Sequence, residues 1–213
     1  MLAFAPAVTA NPLRVVGETF AQWKQRLFGE GQQRPGVLDA PAQGTVMLPP
    51  GQPLRVAIGD DAPERDFPEG RSHYRIIELP SVQDEAAVRV QVIARDNPDG
   101  RGNVAFKPWL YVLGDDDQVV AKVEVTPMHV DIRPFRPTRL LGCENLKKVR
   151  RFVIATTPEE VGKAYESKSR NAVKAPTRGG FYYATDAVKL KLPYAATGTV
   201  VVDVAEDAAS DGC

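Results

Sequence analysis

Six aromatic residues carry most of the recognition chemistry in this sequence: Trp109, Tyr111, Phe181, Tyr182, Tyr183 and Tyr194. A pyranose ring lays its C–H face on the π face of Trp or Tyr, so exposed aromatics are the residue type that sugar binding requires. Trp109 and Tyr111 stand two apart in an apolar run and point to the same side of a strand. Core packing competes as the explanation for that pair. Phe181, Tyr182 and Tyr183 follow Arg178-Gly179-Gly180 in a predicted loop, which would expose some of them.

Catalytic chemistry is harder to assemble. The chain has two histidines, His73 and His129, and neither stands in an H-x-x-x-H or H-E-x-x-H frame. Nucleophile elbows, P-loops and dinucleotide fingerprints are absent. Asp115-Asp116-Asp117 and Asp96 with Asp99 could offer oxygens to calcium, but the spacing of a calcium loop is missing and both read as solvated turns. The expectation is therefore a non-enzyme with no metal and no cofactor. Arg133, Arg136, Arg139, Lys147, Lys148, Arg150 and Arg151, interleaved with Phe135 and Phe152, form a basic cluster. It suits an anionic ligand or a protein partner, or else a solvated loop neutralised by the acidic segment 60–69. Two cysteines, Cys143 and Cys213, permit one disulfide, and the sequence leaves their pairing open.

The elements that would position these residues are mostly strands. Val88, Val90 and Val92 alternate with Arg89 and Gln91, and Leu54, Val56 and Ile58 with Arg55 and Ala57. Strands are predicted near 45–48, 54–58, 73–79, 87–94, 109–113, 119–125, 128–132, 149–155, 186–192 and 199–204. Trp109–Leu113 is apolar on both faces, as a covered central strand would be. Two helices are expected. One is amphipathic over 18–28, with Phe20, Trp23, Leu27 and Phe28 on one face. The other starts at Thr157-Pro158, closes a capping box with Glu160, and runs to about Lys168. The fold class that follows is mainly β: a two-sheet antiparallel β-sandwich, jelly-roll or Ig-like, with one or two short helices.

Composition bounds the rest. The 213 residues include 27 basic and 27 acidic side chains, so no net charge draws the chain to nucleic acid or anionic lipid. No apolar run is long enough for an integral membrane span. Residues 1–10 are apolar and uncharged and end on Val8-Thr9-Ala10, a small-x-small pattern. They read either as the remnant of a signal peptide or as an ordinary N-terminus. The expected organisation is 1–10 as that segment, 11–43 as helix and linker, 44–205 as the sandwich, and 206–213 as an acidic tail.

The region from Gly44 to Val204 resembles the maltose operon periplasmic protein (MalM) family. The resemblance lies in Phe152-Val-Ile-Ala-Thr-Thr157 leading to Lys163-Ala-Tyr165, then Ala184-Thr-Asp186 and Val188-Lys-Leu-Lys-Leu192. A second stretch spans Val46–Gly59, Ala87–Ile93 and Pro108–Leu113. The sequence departs from the family pattern at Tyr183 and Ala187, so no residue role is carried over. What the resemblance implies is a β-rich periplasmic protein with a signal peptide, linked to maltose or maltodextrin uptake. An oligosaccharide or an envelope protein would be its partner. Structural or assembly work in the envelope is the alternative function.

Overall fold

The computed structural model describes residues 36–132, 135–168, 174–176, 182–184 and 189–205. The strands are β1 (Leu38–Asp39), β2 (Val46–Met47), β3 (Leu54–Ile58), β4 (Glu64–Phe67), β5 (Gly70–Ile93), β6 (Arg95–Asp96), β7 (Asn103–Phe106) and β8 (Trp109–Leu113). They continue as β9 (Val119–Glu124), β10 (His129–Asp131), β11 (Arg139–Ala155), β12 (Ala164–Lys168), β13 (Lys174–Pro176), β14 (Tyr182–Ala184), β15 (Lys189–Ala195) and β16 (Gly198–Val204). The protein is mainly β and forms a sandwich.

Two long strands organise it. β5 runs for 24 residues and β11 for 17, and they pair antiparallel along most of that length. The first half of β5 is flanked by β4, β2 and the second half of β11, and that half of β11 also holds β8 and then β9. The second half of β5 lies between β16 and the first half of β11, with β3 and β1 beyond β16. β5 and β11 thus belong to both layers. Their pairing jumps between Val149, opposite Gln83, and Arg151, opposite Glu78. The extra residues on β5 bulge there, at the exposed stretch 80–82. The sequence read a break between two strands at this point. Polar Ser81 to Glu85 does interrupt the burial pattern, but β11 carries the ladder past it.

The core lies between the layers. Val88, Val90 and Val92 of β5 face Val200, Val202 and Val204 of its neighbour β16, all at 2% exposure or less. Each such side chain contributes roughly 1.5–3 kcal/mol by leaving water. A second apolar cluster, Phe67, Tyr111, Leu113, Val153 and Ala155, occupies the opposite face of β8 and the second half of β11. β8 is therefore covered on both faces, as its sequence implied. A smaller sheet, in the order β12-β15-β7-β6, completes the described residues together with the β13–β14 pair.

Three expectations change. Pairing is mixed, because β1–β3, β2–β5 and β15–β7 are parallel. Segment 60–70, expected as loop throughout, contains β4. The helix expected to run from Thr157 to Lys168 is one 3-10 turn, Pro158–Glu160, followed by β12. Thr157 makes no side-chain cap, and Gly162 takes φ +87°, which ends the turn. Residues 164–168 then pair with β15, and tertiary pairing overrides local propensity. The helix expected over 18–28, the segment 1–10 and the tail 206–213 lie outside the described residues.

Candidate functional site

Trp109 and Tyr111 do share one face of β8, and that face is occupied. Tyr111 is fully buried, stacks on Phe67 at 4.4 Å between centroids, and donates its hydroxyl to Glu69 Oε2 at 3.1 Å. Burial, then the Glu69 charge, pushes the Tyr111 hydroxyl well above its ordinary range. Lys122 Nζ sits 3.8 Å above the Trp109 ring and 2.5 Å from Glu69 Oε1. Lys107 stands between Trp109 and Tyr194, at 5.7 and 5.6 Å from their rings, and bridges Glu124 at 2.6 Å and Glu160 at 2.9 Å. Glu160 also takes Lys163 at 3.1 Å. Burial raises the Glu160 carboxyl, but the hydrogen bonds from Lys107 and Lys163 outweigh it and hold the group below its ordinary range. The same balance lowers Glu69, where burial is opposed by Lys122 and Tyr111. These charges are spent on one another. The network braces the turn Pro158–Glu160, and Trp109 is part of that brace.

The turn walls a cavity of about 380 Å³ at one end of the sandwich. Along β5 the core-facing row reads Leu79, Ile77, Arg75, His73, so the interior grades from apolar to charged. His73 pairs across the ladder with Glu64 of β4. On the other side Ala155 pairs with Tyr74, which brings the next residue, Thr156, abreast of His73. Glu64, His73 and Thr156 thus form one row across three neighbouring strands, and all three line the cavity with Arg71 and Pro158. Gly70 makes this possible: it has φ +117°, and a Cβ there would meet Pro158 at 3.1 Å.

Within the row, Arg71 Nε donates to Glu64 Oε2 at 2.7 Å. His73 Nδ1 lies 3.0 Å from the Ala62 carbonyl, and its Nε2 faces Glu64 Oε1 at 3.4 Å. Thr156 is 1% exposed, and its hydroxyl has no hydrogen-bond partner. Behind the mouth, Arg75 is buried and donates to the carbonyls of Pro41 and Ala42.

The other expected residues fall elsewhere. Tyr182 and Tyr183 belong to β14, opposite Pro176 and Ala175 of β13, while their side chains and all of Phe181 lie outside the described residues. His129 is exposed on β10 and lines a second cavity of about 460 Å³ with Arg89, Gln91, Leu141 and Cys143. Asp115 to Asp117 form a hairpin turn in which Asp116 accepts from the Gln118 amide and Asp117 pairs with Arg151 at 2.8 Å. Asn97 accepts from the Asp99 amide in the other acidic turn. Among the described residues no group of three or more His, Cys, Asp or Glu side chains is disposed to hold a metal. The basic cluster is divided: Arg150 pairs with Glu78 and Arg151 with Asp117, so neither uses the acidic segment 60–69. Sequence reasoning missed the Glu64–Arg71–Thr156 mouth. Its one signal was a charged residue, Arg75, on the inward row of an otherwise apolar strand.

Among the described residues no helix is long and apolar enough to cross a membrane. No family of known proteins, no curated protein and no solved structure matches this chain.

Proposed function

We propose that this chain is an exported accessory protein of the cell envelope that binds a carbohydrate and does not transform it, in support of maltose or maltodextrin uptake. The observation that carries the reading is the cavity at the mouth of the sandwich, where the Glu64–Arg71 pair adjoins a buried Thr156 hydroxyl that nothing satisfies. The exposed Glu64 carboxylate and Arg71 guanidinium keep hydrogen-bonding capacity beyond their own pair, which ligand hydroxyls would take up. Binding is favoured over catalysis because the Thr156 hydroxyl has no hydrogen-bond partner, His73 included, so no base is in contact with it to make it a nucleophile. The periplasmic compartment and the link to maltose rest on the resemblance to the MalM family alone.

Two experiments test this. Expression from the full upstream reading frame should yield a processed periplasmic product, and an unprocessed cytoplasmic one would overturn the compartment. Calorimetric titration with maltose through maltoheptaose should give saturable heat, and none above buffer would overturn sugar binding. A second reading, envelope assembly through protein contacts, is favoured by Phe135, which is fully exposed beside exposed Arg136. Capture of an envelope partner that is lost in F135A would favour it.

A further inference from the structure

The polar groups of the mouth are unequally occupied. Glu64 accepts from Arg71 on one oxygen and faces His73 with the other, and a carboxylate oxygen takes two hydrogen bonds, so both keep capacity. Arg71 spends Nε on Glu64. Among the described residues its Nη edge has no partner, and the side chain is 67% exposed.

Charge decides between ligand classes. Arg71 is cancelled by Glu64 at 2.7 Å, so the mouth holds no surplus cation for phosphate or carboxylate. An anion would also bring acceptors to Glu64, which is itself an acceptor. A cation would bring donors to Arg71. Hydroxyl groups answer both at once, because each donates and accepts. Pro158, Val161 and Ala196 supply an apolar flank for C–H groups.

We infer that the mouth takes a neutral vicinal diol, two adjacent hydroxyls of one pyranose ring. One hydroxyl donates to Glu64 and its neighbour accepts from the Arg71 Nη edge. The mouth is open to solvent, and Glu64 with the Arg71 Nη edge answers a single diol, so its polar contacts go to one ring. Affinity is then set by the ring end and does not climb with chain length. This inference rests on the binding reading proposed above and names the ligand class for that site.

The test uses the full chain near neutral pH, with glucose, maltose, maltoheptaose and inorganic phosphate as probes, followed by calorimetry and ligand-observed NMR. The three sugars should bind with dissociation constants of roughly 0.1–10 mM, within about threefold of one another, as ligands this small allow. E64Q should weaken them by about tenfold, the loss of one charge-assisted hydrogen bond. The melting curve of E64Q is compared with wild type, to separate lost binding from lost folding. Affinity that rises tenfold or more from glucose to maltoheptaose would overturn the one-ring limit. Phosphate binding that is lost in R71Q, with sugars silent, would overturn the diol class and leave the binding site standing. Silence from every probe, in wild type and variants alike, would overturn the site itself.

Discussion

Replacing Arg75 by methionine should leave global stability nearly unchanged, while replacing it by lysine should not. The side chain is buried on the inward row of β5, next to Ile77 and across from Ile154. Two of its nitrogens donate to the carbonyls of Pro41 and Ala42, and Nε has no partner. Burial pulls the guanidinium below its ordinary range and the charge of Asp61 pulls it back up. Two charge-assisted hydrogen bonds contribute about 3–6 kcal/mol together. Taking the charge out of water costs several kcal/mol, which is the same order. Methionine removes both quantities and keeps most of the volume. The carbonyls it abandons belong to exposed residues and can turn to water. The net change should be within about 1.5 kcal/mol.

Lysine keeps the buried charge and loses the fork that reaches two carbonyls at once, so R75K should lose about 2–3 kcal/mol. Alanine relieves the charge but opens a cavity, and should fall about 2–5 kcal/mol below methionine. Urea denaturation of the three variants gives the order. Hydrogen exchange adds a local readout. The amides of Leu38 and Ala40, bonded to the carbonyls of Pro53 and Arg55, should exchange faster in R75M although the midpoint hardly moves. A lysine variant as stable as the methionine variant, or more so, would refute the reasoning.

Gly198→Ala should cost about 1–3 kcal/mol in urea midpoint measurements, because the new Cβ would lie 2.5 Å from the Phe106 Cβ on β7. Stability should fall as pH drops below about 4.5, since Glu69 and Glu160 are depressed in the folded state. Their contribution is present above the ordinary carboxylate range and lost as pH falls through the folded values, so E160Q should flatten the acid limb. Lys107 is opposed by burial but raised by Glu124 and Glu160, so its contribution holds to about pH 10 and is lost above, which K107M should abolish in an alkaline melting series. Thr156→Val should gain about 1 kcal/mol in urea denaturation, by removing an unsatisfied hydroxyl.

Much of the sandwich could be read from alternation alone. Trp109–Leu113 and Leu54–Ile58 have the bounds expected of them, because an apolar pattern flanked by turns leaves few alternatives. The union of two predicted strands into β5 was not legible. It depends on β11 bridging a polar stretch, a non-local fact. The false helix after Thr157 shows the converse failure: Pro158 and Glu160 did start a helical turn, but β15 offered residues 164–168 a better partner than the next turn. Trp109 was identified as an aromatic of interest, but the two lysines and three acids around it come from the β4–β5 and β7–β8 links, β9 and the 158–160 turn. No window of sequence contains that set. The cavity was illegible for the same reason, since Glu64, Arg71, His73 and Thr156 meet only when β4, β5 and β11 align.

The polarity of the β5 row separates structural from functional irregularity. A sandwich of this kind is stable with an apolar interior, so each polar group placed inward needs an account. Arg75 has one: it ties residues 41 and 42 to the core. The ions around Trp109 have one as well, since Lys107, Lys122, Glu69 and Glu160 satisfy each other and hold the turn at Pro158. Thr156 has none, and it lines the mouth that Glu64 and Arg71 also line with hydrogen-bonding capacity to spare. An aromatic platform would have placed the function on Trp109. Trp109 Nε1 is itself buried without a partner, but the charges around its ring are satisfied, and the proposed site lies one turn away, at the mouth where Glu64 and Arg71 keep open capacity.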